Sequence, residues 1–255
     1  MKPTISVITV TLNSDKFIEQ TIQSVFNQTY QKIEYIIVDG GSTDRTLEII
    51  NPFKDRIHSF VSEKDDGIAD AMNKGVSLAL GDYVIFLHAD DYFHHEASLE
   101  ESVEFLEATT DILACRIQFG KDLKIIKPTG FNFWTNFKGM PHQGILCSRT
   151  LIDSLHGFDT QFKICMDYDF LLRAYKKGAQ LRKAPVVLSV MRETGISSRQ
   201  DWRSLKNRFD EERMAHQKNC SSFTLQILYK LYWFLYLHYR SATFTIRAKR
   251  KRLKQ

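Results

Sequence analysis

The chain lacks the short motifs that identify several common classes of protein. Its 255 residues include four cysteines with no C-x-x-C pair: Cys115, Cys147, Cys165 and Cys220. This spacing argues against a structural zinc site and favours free thiols in a reducing compartment. The patterns G-x-G-x-x-G and G-x-x-x-x-G-K-[ST] are both absent, which excludes an ordinary dinucleotide-binding site and a P-loop.

Hydrophobic runs of the length that crosses a membrane are also missing. The N-terminal stretch MKPTISVITVTLN is short, has no small-x-small cleavage site and is followed at once by polar NSDK. It is therefore predicted to be the first strand of a cytoplasmic protein rather than a signal peptide. Near the C-terminus, the uncharged run between Lys230 and Arg240 is nine residues, whereas a spanning helix needs about 20.

Acidic residues do not occur after Glu212. Residues 213–255 hold ten Lys and Arg, and the chain as a whole has 35 basic and 30 acidic residues. Residues 1–212 therefore carry 25 basic and 30 acidic side chains, a net charge of −5. A mildly acidic body with a basic tail predicts that the tail meets an anionic surface.

What the sequence does contain is a regular alternation of apolar runs and amphipathic helical patterns. The predicted strands are ISVITV, IEYIIVD, RIHSFVSE and YVIFL, and the predicted helices are SDKFIEQTIQSVFNQ, STDRTLEII and IADAMNKGVSLAL. Ser14 is a candidate N-cap for the first helix, and Ser42 or Thr43 for the second. Continuous apolar strands separated by helices predict an α/β fold, with a mainly parallel sheet covered on both faces.

Three of these strands stop in polar residues: TLNS after the first, DGGSTD after the second and HADD after the fourth. The carboxyl ends of parallel strands share one edge, where ligands bind. Asp90 and Asp91 either form a solvated turn or lie at a strand end and face a cation, such as Mg²⁺ or Mn²⁺ carrying a diphosphate. Asp39 accepts a hydrogen bond from a base or ribose, or it begins a turn whose glycines need positive φ.

The regularity falls after about residue 110. DILACRIQFG and GILCSRT are predicted strands, and DYDFLLRAYKKG is a predicted helix that ends at Gly178. The aromatic stretch FNFWTNFKGMPHQ is predicted to form a flap. The catalytic core is predicted to end within residues 194–200.

The ordered set of stretches ISVITVTLN, QSVFNQTYQKIEYIIVDGGSTDRT, SEKDDGIADAMNKGVSLALGDYVIFLHADD and MDYDFLLRA resembles the bacterial family-2 glycosyltransferases of the GT-A fold. The resemblance implies a Rossmann-like GT-A catalytic domain over residues 1–200, with a nucleotide-sugar half (1–105) and an acceptor half (106–200). Residues 201–255 would be a helical, aromatic and basic extension. The implied reaction is inverting transfer of a sugar from a nucleotide diphosphate, UDP most often, to a saccharide or lipid-linked acceptor in surface polysaccharide biosynthesis. The implied cofactor is Mn²⁺ or Mg²⁺.

The resemblance also assigns donor-side residues. Those that would contact the nucleotide sugar are Thr11, Asn13, Asp39 (the base), Asp65, Asp70, Asn73 and Asp90 (the ribose or the metal), while Asp91 would ligate the metal. Two positions depart from the family pattern. Met72 stands where many relatives have an arginine, with Lys74 as a substitute for the charge. His88 replaces the leading aspartate of D-A-D-D.

On the acceptor side, the resemblance makes Asp167 the general base, because inverting transfer needs a carboxylate that takes the proton of the acceptor hydroxyl. Met166 replaces the glutamate that precedes it in many relatives. The alternative role for Asp167 is a helix-start residue, and Asp169 is predicted to be structural. His142 and Gln143 would bind acceptor hydroxyls, or one of them would aid the metal.

The aromatic and basic tail has two interpretations. It is an interfacial helix at an anionic membrane, which would place the protein on the inner face of the plasma membrane, or it packs on the domain or in a homodimer. Nucleic-acid binding is disfavoured by the acidic body and the lack of a matching motif.

Two other functions compete with the transferase. A non-catalytic nucleotide-sugar-binding scaffold or regulator of the same fold is favoured by Met72 and Met166. A Mg²⁺-dependent phosphohydrolase is disfavoured, because TLNS stands where its nucleophilic aspartate would follow the first strand.

Overall fold

The computed structural model describes residues 2–195, 198, 201–220 and 222–252, with side chains described as far as Phe244. The chain divides into two compact units, residues 1–198 and residues 199–255. The first unit is an α/β domain built on one sheet, and the second consists of two helices.

The first four strands of the first unit are parallel and lie in the order β3-β2-β1-β4. Their bounds are Ile5–Thr11 (β1), Ile33–Asp39 (β2), Ser59–Ser62 (β3) and Tyr83–Phe86 (β4). Thr11 lies opposite Asp39, and Asp39 lies opposite Ser62. The predicted polar strand ends therefore do meet at one edge of the sheet.

Helices cover both faces of these strands, as predicted. They are α1 (Ile18–Phe26), α2 (Thr46–Ile50) and α3 (Ile68–Leu78). α1 buries Ile18, Ile22 and Val25 in the same apolar cluster as Ile5 and Val7 of β1. Successive residues of a strand point to opposite faces, so the next residue, Ile8, meets α3 on the other side, at Gly75.

The predicted helix caps were wrong. α1 begins at Ile18 with Phe17 before it, and α2 begins at Thr46 after Arg45; neither helix has a side-chain cap. Ser14 instead donates its backbone N–H to the Thr46 hydroxyl. The Ser42 hydroxyl donates to Asp39. The Ser14 hydroxyl donates to the Leu12 carbonyl oxygen, so the side chains of both serines are engaged away from the helix starts.

The sheet continues beyond β4 as β8-β6-β9-β5, with β7 beside β6. β8 is antiparallel to both β4 and β6, β9 is parallel to β6, and β5 is antiparallel to β9. The bounds are Tyr92–Phe93 (β5), Ser98–Val103 (α4), Ile112–Phe119 (β6), Lys124–Ile126 (β7), Ile145–Ser148 (β8), Arg149–Ser154 (α5), Met166–Lys177 (α6) and Leu181–Met191 (β9). α6 ends at Gly178, whose φ of 81° is the left-handed conformation expected there.

The predicted flap contains two short 3-10 turns, Phe133–Asn136 and His142–Gly144. A capping box at Asn132 fixes the first turn. The Asn132 side chain accepts from the backbone N–H of Trp134, and the Thr135 hydroxyl accepts from the backbone N–H of Asn132. The Tyr168 hydroxyl donates to the Thr135 carbonyl oxygen at 3.3 Å. The flap is therefore attached to α6, the helix that also carries Asp167.

The second unit pairs α7 (Trp202–Lys218) with α8 (Phe223–Arg252). His216 stacks on Tyr229 with 4.1 Å between ring centroids, and its Nδ1 accepts from the Trp233 indole N–H at 2.9 Å. Phe209 packs edge-to-face on Tyr236. Aromatic side chains thus form the interface between the two helices. Among the residues that the structure describes, no helix has the length and hydropathy needed to cross a membrane.

All four cysteines have free thiols. Cys115, Cys147 and Cys165 are buried, and Cys220, between α7 and α8, is partly exposed. Burial raises the pKa of Cys115 to about 11 and raises the pKa of Cys147 further.

The contact between α3 and β1 gives a stability prediction. A Cβ atom at Gly75 would stand 2.4 Å from Ile8 Cγ2, a stiff branched side chain in the core. Gly75→Ala should therefore lower the free energy of unfolding by about 1 to 3 kcal/mol, although alanine is the better helix former. Chemical denaturation followed by circular dichroism measures this. Ser77→Ala, on the exposed side of α3, is the matched control and should change stability by less than about 0.5 kcal/mol; equal stability of the two variants would contradict the packing argument.

Candidate functional site

Asp39 organises the edge where β1, β2 and β3 end. Its side chain is fully buried and accepts four hydrogen bonds from the protein. Two come from the backbone N–H groups of Gly41 (3.1 Å) and Ser42 (3.0 Å), and two from the hydroxyls of Ser42 and Ser62 (2.8 Å for Ser62). A carboxylate has about four acceptor positions, so a base could contact Asp39 only by replacing one of the hydroxyl donors.

Asn13 and Thr11 complete this edge from β1. Asn13 has a left-handed backbone with φ of 50°, which its short polar side chain tolerates. Its backbone N–H donates to Ser42 Oγ at 2.8 Å, and its side-chain oxygen accepts from the Thr43 N–H at 2.9 Å. Thr11 is 5% exposed, and its buried hydroxyl has no hydrogen-bond partner in the described part of the chain. That hydroxyl thus lies at the end of β1 with hydrogen-bonding capacity that no described residue uses.

Asp65 lies directly over the glycine that follows Asp39. A Cβ atom at Gly40 would stand 2.3 Å from Asp65 Oδ2, so only glycine allows this approach. The other oxygen, Oδ1, accepts from the Gly67 N–H at 2.9 Å. The predicted donor residues Asn13 and Asp39 are therefore joined through Ser42, and Asp65 lies beside this network at Gly40.

Asp70 and Lys74 form an ion pair beside this network. Asp70 accepts from the Asp66 backbone N–H at 3.1 Å and pairs with Lys74 at 3.2 Å. The Asp66 N–H, and then Lys74, lower the pKa of Asp70. Lys74 also pairs with Glu63 at 2.8 Å. Two carboxylates thus neutralise Lys74, which argues against its replacing the arginine of other family members.

Asn73 links the two halves of the first unit. Its side-chain oxygen accepts from the Phe158 N–H, and its amide donates to the Phe158 carbonyl oxygen, both at 2.8 Å. Both polar ends of the side chain therefore hold the loop between α5 and α6. Met72 and Met166 are 1% and 4% exposed, so both methionines belong to the core.

The neighbours Asp90 and Asp91 have different surroundings. Asp91 is 2% exposed and accepts from the Arg192 backbone N–H at 3.1 Å. Burial and the Asp90 charge raise the pKa of Asp91 to about 7. Asp90 is partly exposed, and its carboxylate accepts from the Thr194 hydroxyl. Asp90 is thus the more accessible of the two carboxylates.

Arg192 contacts both neighbours, through its backbone N–H to Asp91 and through its guanidinium to the Asp90 backbone, and the sequence analysis did not identify it. Its guanidinium donates to the Asp90 carbonyl oxygen and to the Gln20 side chain. It lies between two aromatic rings, 4.8 Å from the centroid of Phe17 and 4.7 Å from that of Tyr92, a favourable cation–π arrangement. The signal available in the sequence was a lone arginine directly after an apolar run, VVLSVMR.

The donor atoms present fit a divalent metal that is held mainly by a bound diphosphate. Within the described residues, no group of three or more His, Cys, Asp or Glu side chains could hold a metal ion. Mg²⁺, however, is usually held by one or two carboxylates together with substrate phosphates and water. The accessible carboxylate of Asp90 suits that role better than the enclosed carboxyl group of Asp91.

His142 and Asp167 form a hydrogen-bonded pair on the acceptor side. Asp167 lies in the first turn of α6, and its Oδ2 is 3.2 Å from His142 Nδ1. Its Oδ1 accepts from the Tyr168 N–H at 2.7 Å. The Asp167 side chain remains 26% exposed. The carboxylate is thus held in one orientation and still reaches solvent.

A second imidazole lies against this pair. The rings of His88 and His142 meet edge-to-face with 4.6 Å between centroids. Burial, and then His142, lower the pKa of His88 well below its ordinary value. His88 Nδ1 and His142 Nε2 are shielded from solvent and have no hydrogen-bond partner among the described residues. Both atoms thus have hydrogen-bonding capacity that no described residue uses.

Gln143 and Asp169 are interior residues. Gln143 is 3% exposed, and its amide bonds to Asp91, so it does not present an open face to an acceptor. Asp169 is 1% exposed and pairs with Arg173 at 2.7 Å, which is the structural role expected for it.

Beneath His142 and Asp167 is a small apolar cavity of about 30 Å³, lined in part by Phe86 and Phe158.

Comparisons with known proteins identify the family of the chain. Residues 6–168 match the sequence profile of glycosyl transferase family 2. A protein of Mycobacterium tuberculosis (strain CDC 1551 / Oshkosh) named as an uncharacterized glycosyltransferase is 33% identical over 181 residues, which is 68% of this chain and 69% of that protein.

Two solved structures share the fold. Staphylococcus aureus TarS residues 1–349, in complex with UDP-GlcNAc, has a TM-score of 0.68 at 19% identity, covering 86% of this chain and 68% of that one. The mannosyltransferase PcManGT from Pyrobaculum calidifontis, in complex with GDP-Man and Mn²⁺, has a TM-score of 0.68 at 18% identity, covering 98% and 76%. Against the longer TarS chain, this chain spans 39% of the length.

The profile match covers more than half of the chain, and the mycobacterial relative exceeds 30% identity over two thirds of it. The chain belongs to glycosyl transferase family 2 and is a glycosyltransferase of the GT-A fold.

Proposed function

We propose that this protein transfers a sugar from a nucleotide diphosphate donor to an acceptor hydroxyl with inversion at the anomeric carbon. The observation that carries the proposal is the pairing of an accessible carboxylate, Asp167, with His142, next to the end of β4 where Asp90 lies. The acceptor is a saccharide or lipid-linked saccharide of a surface polysaccharide. This assignment rests on family membership.

The donor occupies the edge formed by the ends of β1, β2 and β4. Thr11, with its unpartnered hydroxyl, and the Asn13–Asp39 network face the base, and Asp65 and Asp70 flank it. Asn73 supports the donor site indirectly, because its side chain holds the loop at Phe158 in place. Relatives of the same fold are described with UDP-GlcNAc and GDP-Man, and we propose UDP as the carrier.

Asp90 would hold Mn²⁺ or Mg²⁺ together with the diphosphate. A metal bound there would supply positive charge that stabilises the departing diphosphate. Asp91 lies in the interior next to Asp90 and supports its position. The Arg192 N–H and the Gln143 amide bond to Asp91 and hold it in place.

Asp167 is the general base. As the acceptor oxygen bonds to the anomeric carbon, the bond from that carbon to the diphosphate oxygen breaks, and its electron pair leaves with the diphosphate. The acceptor proton passes to the Asp167 carboxylate, which His142 Nδ1 holds in position through Oδ2. An imidazole that fixes a carboxylate in this way reduces the reorientation needed in the transition state.

Asp167→Asn tests the base directly. The variant should lose transfer by about a hundredfold to ten-thousandfold, while donor binding measured by calorimetry stays unchanged, because Asp167 is assigned to the acceptor side. Asp153→Asn, at an exposed carboxylate of α5, is the control and should transfer normally. If Asp167→Asn keeps full turnover, another group is the base. If the unaltered protein binds donor but transfers to no acceptor, it is a scaffold.

The hydrogen bond between His142 Nδ1 and Asp167 should contribute to kcat. Asparagine places its amide nitrogen near the position of Nδ1, and glutamine places its nitrogen near that of Nε2. His142→Asn should therefore retain most of kcat, and His142→Gln and His142→Ala should each lose about tenfold or more, with the donor KM unchanged in all three. Steady-state kinetics measures the split. Equal loss in the asparagine and glutamine variants would show that the hydrogen bond to Asp167 is not what matters.

The two neighbouring aspartates should differ in their effect on the metal. Asp90→Asn should abolish the Mn²⁺-dependent increase in UDP affinity, because it removes the accessible carboxylate. Asp91→Asn should retain that increase, because its enclosed side chain does not reach the metal. Titration of UDP with and without Mn²⁺ compares them, with circular dichroism to confirm folding. The opposite pattern would assign the metal to Asp91.

A further inference from the structure

The side of α8 that faces away from α7 is an exposed apolar surface. Seven large apolar side chains lie between 42% and 75% exposed: Phe223, Ile227, Leu228, Leu231, Phe234, Leu235 and Tyr239. They recur at intervals of three and four residues, which places them along one side of a helix. This set, called here the α8 apolar face, runs for more than four turns of the helix.

The α8 apolar face is distinct from the side of α8 that packs on α7. Tyr229 and Trp233, each 5% exposed, and Tyr236 occupy that inner side. No Lys, Arg, Asp or Glu belongs to the apolar face; Lys230 lies at its border. Large contiguous apolar surfaces are rare on soluble proteins and mark sites of association with another protein or with lipid.

Positive charge follows the apolar face directly. Residues 245–255 contain six Lys and Arg, and no acidic residue occurs after Glu212. A helix with a broad apolar side next to a cluster of basic residues is the pattern of helices that lie in the interface of anionic membranes.

We propose that α8 lies flat at an anionic lipid bilayer, with the α8 apolar face at the boundary of the acyl chains and the basic end at the headgroups. The charge distribution favours lipid over a second copy of the chain. In a pair of α8 helices, whether parallel or antiparallel, neither helix offers a carboxylate to the basic residues of the other, because no Asp or Glu occurs after Glu212. The apolar side is also wider than the narrow seam of a two-helix coiled coil.

Vesicle co-sedimentation of the full chain tests the proposal without use of the transfer reaction. The chain should bind vesicles of phosphatidylcholine with phosphatidylglycerol, and bind pure phosphatidylcholine about tenfold or more weakly. Leu231→Gln/Phe234→Gln/Leu235→Gln should lower binding to the anionic vesicles by about tenfold or more. These side chains are exposed, and glutamine is a good helix former, so circular dichroism should be unchanged.

Two matched variants complete the design. Leu80→Gln removes a side chain that is 75% exposed in the first unit and should bind vesicles like the unaltered chain. Lys249→Gln/Arg250→Gln/Lys251→Gln should lose the preference for anionic vesicles, and added salt should have the same effect on the unaltered chain.

Either of two results would overturn the proposal. The first is equal vesicle binding by the unaltered chain and the triple glutamine variant of the apolar face. The second is a chain that fails to bind vesicles but forms dimers in sedimentation equilibrium, with the triple variant monomeric, which would make a second copy the occupant of the α8 apolar face.

Discussion

A single buried carboxylate, that of Asp39, holds together the edge of the sheet on which the site is built. A buried charge is costly unless it is fully hydrogen-bonded, and the four hydrogen bonds to Asp39 come from Gly41 and Ser42, in the turn after β2, and from Ser62 at the end of β3. Ser42 then binds the Asn13 turn of β1. The positions of the loops that carry Asn13 and Asp65 therefore follow from the need to satisfy one carboxylate.

The sequence was most informative about the first half of the chain. β1 and β2 are covered on both faces, so their apolar runs are continuous and easily recognised. The second half was harder because the exposed, charged residues Arg182 and Lys183 lie near the start of β9, and because β9 pairs with β6 through register shifts. Helix caps failed for a related reason. The Ser42 hydroxyl accepts from the Asn13 N–H across the edge of the sheet, and the Ser14 backbone N–H donates to Thr46; local sequence indicates neither contact.

The acidic members of the site could be found from strand ends, but their partners could not. Arg192 reaches Asp90 and Asp91 because β5 and β9 pair, with Tyr92 opposite Val190, a contact between segments nearly a hundred residues apart. His142 and Asp167 were each singled out, yet their hydrogen bond depends on how the flap folds onto α6. Asp91 is buried and Asp90 is partly exposed. Two adjacent aspartates look equivalent in the sequence, so this difference could not be predicted.

The distribution of the thiols has a practical consequence. Cys115, Cys147 and Cys165 are enclosed, and Cys220 is the one cysteine with partial access to solvent. A maleimide fluorophore added to the folded, unaltered chain will therefore react at Cys220, at the junction of α7 and α8. The native sequence thus supplies a single-site optical reporter a few residues from the start of α8, without the removal of any other cysteine.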